Sequence, residues 1–272
     1  MNLSTRWIEL DGAVNVRDLG GLPTADGRAT RLGRVLRADN LQDLSVADVR
    51  LLLDDYGLKN VIDLRSDTEV RLEGPGPLAR TPSVTLHHLS LFAEGGRNTD
   101  VAADVAAGAP DRIDADKVLP WQSRRSDGSE QDRSVSHYLG YLRERGDSIV
   151  AALRVMARTD GSSIVHCAAG KDRTGVVCAL ALESVGVHRE AVVADYVATG
   201  DRLAGILARL RGSGTYADDL DRRPADTHRP HAEIMEKFLA RVDEEFGGPL
   251  GWLAGHGWTP EDTGALTERL VG

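Results

Sequence analysis

The sequence predicts a layered α/β fold. Three observations point to α/β layering. Two short runs rich in β-branched residues, NVIDL at 60–64 and SSIVH at 162–166, read as buried strands. Helical periodicity recurs around them, most clearly at 45–57 and 231–246. The stretch 174–185 is almost wholly apolar and reads as a helix buried on every side. Strands that alternate with helices give a layered arrangement.

Along the chain, Ser45 can cap the first helix, with Asp48 three residues on. Val49, Leu52, Leu53 and Tyr56 form its apolar face, and Gly57 ends it. After the strand at 60–64, the apolar stretch 84–91 is a second strand candidate. The segment 93–132 is polar and carries Gly95, Gly96, Gly108, Pro110, Pro120 and Gly128, so it reads as a long excursion of functional or mobile character. Helices are expected at 134–145 and 147–158, separated by Gly146. The strand 162–166 runs directly into CAAGKDRTG and the buried helix. Further helical pattern covers 189–199 and 203–210, and a polar stretch at 212–230 reads as a flap. In the helix at 231–246, Ile234, Met235, Phe238, Leu239, Val242 and Phe246 share one face, and Glu233 can pair with Lys237. Gly247, Gly248 and Pro249 stop it; Thr259-Pro260-Glu261-Asp262 starts a last helix. No composition break calls for a second domain, so the expectation is one domain over 1–272.

The net charge of -9 argues against wrapping nucleic acid or docking on an anionic membrane. It leaves room for an anionic substrate in a locally positive pocket. Two cysteines, Cys167 and Cys178, cannot make a disulfide framework and fit free thiols in a reducing compartment. Residues 1–12 lack the apolar core of a secretory signal, and the longest apolar run, 176–182, is too short to span a bilayer. The expectation is a cytoplasmic protein without an integral membrane segment.

The chemistry sits in His166-Cys167-Ala168-Ala169-Gly170-Lys171-Asp172-Arg173-Thr174, which fits H-C-x5-R-T. Hydrolysis of a phosphate monoester needs an ionised nucleophile. A cysteine at a helix N-terminus beside cations has its pKa lowered from about 8.5 into roughly 3.5–7.5. It needs donors for three equatorial oxygens, and a loop between strand and helix can turn its N–H groups inward. Ala168, Ala169 and Gly170 are small enough for close approach. It needs a planar bidentate clamp, which the guanidinium of Arg173 supplies. Thr174 can donate to the thiolate or phosphocysteine, and His166 can fix the loop through its side chain. A bare C-x5-R arises often by chance; here a β-rich run precedes it and a buried helix follows. The competing reading is a plain strand–helix turn with a buried cysteine and a surface arginine. Cys178, mid-helix among apolar residues, reads as packing.

The segment HCAAGKDRTG resembles the active-site loop of the protein-tyrosine phosphatase superfamily, and its Lys-Asp pair resembles a bacterial branch with mycobacterial and Listeria members. NVRDLGG at 15–21, GRVLRADNL at 33–41, VIDLRSDTE at 61–69, ADYVATG at 194–200 and the C-terminal GWLAGHGWTPEDTGALTERL are also similar to that branch. The resemblance thus spans nearly the whole chain. Val16 stands where an aromatic is usual and Ala38 where Ser is common. The resemblance implies a tyrosine-phosphatase-like fold with a mainly parallel central sheet.

The leaving oxygen needs an acid. Many tyrosine phosphatases carry it on a Trp-Pro-Asp loop, a tripeptide this chain lacks. Asp63 is the preferred candidate: it would lie at the end of a parallel strand, and the matching residue is the proposed acid in the similar branch. Asp172, inside the loop, and a residue of the 93–132 excursion are the alternatives. The structural reading of Asp63 is an ion pair with Arg65 or Arg17. By resemblance to similar enzymes, Lys171 is a contact for extra negative charge, phosphoinositide headgroups included; the alternative is a solvated lysine that raises the local potential. Asn15, Arg17 and Asp18 read as a structural knot, and Arg124 and Arg125 as solvated loop residues. His87, His88, His228 and His231 lack metal-ligand spacing, so neither metal nor other cofactor is expected.

The expected partner is a phosphorylated substrate. The first reading is a protein-tyrosine or dual-specificity phosphatase whose range extends to phosphoinositides. The second is a phosphatase for a nucleotide, nucleoside or sugar phosphate metabolite. The third is a phosphate-binding module without turnover.

Overall fold

The computed structural model describes residues 6–93, 129–220 and 228–272. In chain order its elements are β1 (Arg17–Asp18), β2 (Val35–Ala38), α1 (Val46–Asp54), β3 (Leu58–Asp63), α2 (Asp67–Glu73) and β4 (Thr85–His88). Then follow α3 (Glu130–Glu144), α4 (Gly146–Arg158), β5 (Ser162–His166), α5 (Asp172–Ser184), α6 (Arg189–Ala198) and α7 (Leu203–Gly212). A single turn α8 (Ala217–Leu220), the long α9 (Ala232–Phe246), α10 (Pro249–Ala254) and α11 (Pro260–Leu270) complete it. The sheet order is β1-β2-β5-β3-β4; β1 runs antiparallel to β2 and the other pairs are parallel. The expected α/β fold with a mainly parallel sheet is therefore present.

Strand alternation explains how one sheet serves two cores. Ile62 and Val165 face a large cluster that takes in Val177, Leu180, Phe238 and Trp252. Their neighbours Val61 and Ile164 face a smaller cluster with Leu36, Leu52 and Leu78. The α5 helix fills the larger core, which is why its sequence is apolar all round. A third cluster packs Leu203, Ile206, Leu207 and Leu210 of α7, with Tyr216 and Leu220, onto Ala168.

The register aligns the carboxyl ends of the parallel strands. Ala38 and Asp63 both pair with His166, and Asp63 pairs with His88. The next residue on β5 is Cys167, so the candidate loop leaves the sheet where α/β sites form.

Several boundaries differ from expectation. The helix predicted from 134 begins at Glu130, because Ser129 accepts the Asp132 N–H as its cap. The rest of the 93–132 excursion, 94–128, lies outside the described residues. Of the expected flap, Gly212 closes α7, α8 forms one turn, and 221–227 lie outside the described residues. The α2 helix was not anticipated, although Ser66 and Glu69 form a reciprocal capping box at its start.

The sheet's β1 edge is locked by ion pairs. Asp195 of α6 meets Arg17 at 3.2 Å and Arg37 at 2.5 Å, and also pairs with Arg6. Arg17 further donates to the Asp195 carbonyl, the Thr199 hydroxyl and the Asn15 side chain. Burial disfavours the Asp195 carboxylate, yet the three arginines hold its pKa below the usual range. Removing one partner of a buried ionic group strands the others. Asp195→Ala is expected to destabilise the protein by roughly 3–5 kcal/mol in urea denaturation.

Candidate active site

Between the end of β5 at His166 and the first residue of α5 at Asp172, the chain makes a tight loop. Its carbonyls are tied outward. The Asn40 N–H donates to the Ala168 oxygen at 2.9 Å. Asn15 Nδ2 donates to the carbonyls of Ala169 and Gly170 at 2.9 and 3.3 Å. Arg37 Nη2 donates to Gly170 at 2.7 Å. In a trans peptide the following N–H points the opposite way, so the amides of Ala169, Gly170 and Lys171 turn to the other side. Among the described residues, no acceptor takes the N–H of any residue from Ala168 to Asp172. A helix N-terminus adds its dipole to this set, and the result is a place for an anion.

The tethers are themselves held. Asp39 accepts from the N–H groups of Val14 and Asn15 at 3.1 and 3.0 Å and pairs with Arg209. Gly170 has φ +65°, and a Cβ there would lie 2.4 Å from the Ala38 carbonyl oxygen. Only glycine fits that position.

Cys167 lies at the base of the loop, buried. Glu69 of α2 clamps Arg173 by two hydrogen bonds, 2.6 and 2.9 Å, which fixes the direction of the guanidinium fork. Burial disfavours the Arg173 charge, but Glu69 and the Cys167 sulfur hold its pKa well above the ordinary arginine value. The guanidinium carbon stands 5.1 Å from the Phe92 ring centre. Glu69 also accepts from the Ser66 N–H and from the Tyr216 hydroxyl. Lys171 Nζ donates to the His228 carbonyl at 2.9 Å, so it is not a solvated lysine.

Two expected contacts are not made. The Thr174 hydroxyl is buried with no partner and does not bond the Cys167 sulfur. His166 makes no side-chain hydrogen bond among the described residues; its Nε2 is 3.6 Å from Asp63 and its Nδ1 has no partner. Burial lowers the His166 pKa to about 4, so the ring is neutral at neutral pH.

The two carboxyl candidates sit in contrasting surroundings. Asp63 accepts from Arg65 at Nε, Nη2 and the backbone N–H, between 2.6 and 3.2 Å. Burial would raise its pKa, but the nearby His166 imidazole, protonated at low pH, and the Arg65 contacts hold it far below the usual range. This is the ion pair that the sequence offered as the structural reading of Asp63. Asp172 instead accepts from the Tyr138 hydroxyl at 2.5 Å and lies 3.6 Å from Lys171 Nζ, both at Oδ1. Its Oδ2 has no partner among the described residues.

A model of the tyrosine phosphatase family matches residues 8–272. The chain belongs to the tyrosine phosphatase family. It is thereby a phosphoric monoester hydrolase of the protein-tyrosine-phosphatase type, and its substrates are phosphorylated. It is 29% identical over 286 residues to the triple specificity protein phosphatase PtpB of Mycobacterium tuberculosis, covering 97% of this chain and 99% of that protein. A putative tyrosine-protein phosphatase of Cupriavidus necator is 32% identical over 76% of this chain and 69% of its own. A tyrosine-protein phosphatase of Nostoc commune is 26% identical over 91% and 78%. No helix among the described residues is long and apolar enough to cross a membrane.

Of the residues singled out in the sequence, the structure of this family member brings Cys167, Lys171, Asp172 and Arg173 onto one loop beside Asp63 and His166. Asn15 and Arg17 form the expected knot, and Asp18 accepts from the N–H groups of Gly20 and Gly33. His87 and His88 bond the Asn60 side chain and the Arg65 carbonyl. Arg124 and Arg125 lie outside the described residues. Sequence reasoning missed Glu69, Arg37, Asp39 and Tyr138. The Ser66-Asp67-Thr68-Glu69 capping pattern could have flagged Glu69; the other three have no local signal. Gly170→Ala must displace the loop, and a shift of about 1 Å costs on the order of 100-fold in rate. A fall of that size in kcat/KM for p-nitrophenyl phosphate is expected.

Proposed function

We propose that this phosphatase works through a phosphocysteine intermediate on Cys167 and acts on phosphoproteins, phosphotyrosine foremost. The observation that carries the mechanism is the loop's polarity: three carbonyls tied outward, with the amides turned the other way around Cys167. Cys167 attacks phosphorus in line. The amides of 168–172 and the Glu69-oriented Arg173 stabilise the equatorial oxygens as charge develops. The Lys171 ammonium adds positive potential at the loop.

For the acid, the geometry favours Asp172 over Asp63, the residue preferred from sequence. A carboxylate held by three donors from one arginine is stabilised as the anion and is a poor proton source. The Asp172 side chain is 38% exposed and has an unpartnered oxygen, whereas Asp63 is 8% exposed. Asp172 protonates the leaving oxygen and then takes a proton from the water that hydrolyses phosphocysteine. The phosphoprotein reading is supported by the relatives, all of which are named for protein or tyrosine phosphatase activity. One catalytic domain spanning the chain fits the same reading.

One set of assays tests both assignments. Cys167→Ser should abolish turnover yet retain phosphotyrosine-peptide binding, and rapid acid quench of the wild type should leave phosphate on Cys167 by mass spectrometry. Asp172→Asn should slow phenyl phosphate by about 100-fold and p-nitrophenyl phosphate much less, because the better leaving group needs no proton. Equal losses on both substrates would return the acid role to Asp63.

A further inference from the structure

Tyr138 of α3 is buried, and rings on three sides hold it. Tyr196 and Phe238 meet it edge-on at 6.4 and 5.7 Å, and Tyr141 stacks at 6.1 Å. Such packing aims the hydroxyl at one place. It bonds Asp172 Oδ1 at 2.5 Å and the Tyr196 hydroxyl at 2.9 Å. An ionised carboxylate only accepts, so Tyr138 donates to Asp172 and Tyr196 donates to Tyr138. Nothing in the hydrolysis described above uses this relay.

We propose that Tyr138 is a positioning residue for proton transfer: its hydroxyl occupies Oδ1 of Asp172 and leaves Oδ2 to carry the proton toward the leaving group. The inference rests on the assignment of Asp172 as the acid. Without the phenol, Oδ1 and Oδ2 would compete for the proton and the carboxyl could rotate. Among the described residues, the charged and titratable groups that face Asp172 are few. From its own loop comes Lys171, 3.6 Å from the same Oδ1; Arg173, next in sequence, is turned to Glu69. From α3 come Tyr138 and Tyr141, and from α6 comes Tyr196. Burial raises the pKa of all three phenols, so each stays protonated in a phosphatase assay.

The sign follows from what the hydrogen bond stabilises. A donor to the carboxylate favours its ionised form and lowers its pKa. Without that donor the carboxylate form loses a stabilising contact, and an acid that must be protonated then stays active to higher pH. Lys171 is untouched, so the change reports the phenol alone.

The test is the pH profile of kcat/KM for phenyl phosphate in the full chain, with wild type, Y138F, D172N and the Y138F/D172N double variant. Y138F should move the basic limb upward by about one pH unit. It should lower plateau kcat about tenfold on phenyl phosphate, with p-nitrophenyl phosphate nearly unchanged. In the D172N background it should have no further effect. Should Y138F fail to fold, Y196F carries the test, with a smaller shift in the same direction. A uniform loss at every pH, or an unmoved limb in a variant that folds, overturns the proposal. If D172N itself leaves the limb in place, the acid assignment falls, and the role of Tyr138 falls with it. If D172N removes the limb and Y138F leaves it where it was, only the role of Tyr138 falls.

Discussion

A loop can turn its amides toward an anion only if its carbonyls find donors elsewhere, since a buried, unmet carbonyl costs about 1–3 kcal/mol. That constraint organises this protein. Asn40, Asn15 and Arg37 supply the donors, and each comes from the first 40 residues, far from the loop in sequence. Each is in turn fixed: Arg37 by Asp195, Asn15 by Asp39 and Arg17, Asn40 by its place just after β2. The segments around the antiparallel edge of the sheet therefore supply the bonds that turn the loop carbonyls outward.

The same architecture resolves a tension in charge. The chain carries a net -9, yet Arg37, Arg65 and Arg173 are buried close to the loop. Each is matched by a carboxylate, from Asp195, Asp63 and Glu69 respectively. The matching makes burial of three cations tolerable and aims each guanidinium. It also separates two acidic residues by task. Asp63 serves as a counter-ion, while Asp172 keeps one oxygen clear of partners.

Much of this was legible in the sequence where the signal is local. The strand SSIVH, the apolar helix after it and the H-C-x5-R-T spacing all speak within a few residues of one another, and the loop was found there. The two capped helices at Ser45 and Thr259 were equally plain, with reciprocal capping boxes at both. What stayed hidden depends on distant partners. In VLRA of β2, Arg37 breaks the apolar pattern of a buried strand, and only Asp195 explains why it is inside. Nothing near Glu69 in sequence shows that Arg173, 104 residues on, lies opposite it. The His166 Nδ1 and the Thr174 hydroxyl are buried without a partner, a state of the packing that the local sequence does not announce.

The triple pairing at Asp195 reaches past the sheet. One of its arginines, Arg6, comes from the very start of the described chain and also donates to the Asp18 carbonyl. The same carboxylate steadies Arg37, which in turn holds Gly170. Two intervening side chains, Asp195 and Arg37, thus connect Arg6 with the Gly170 carbonyl. Without Arg6, Asp195 would keep two of its three cationic partners, and the guanidinium that holds Gly170 would rest on a less evenly balanced carboxylate.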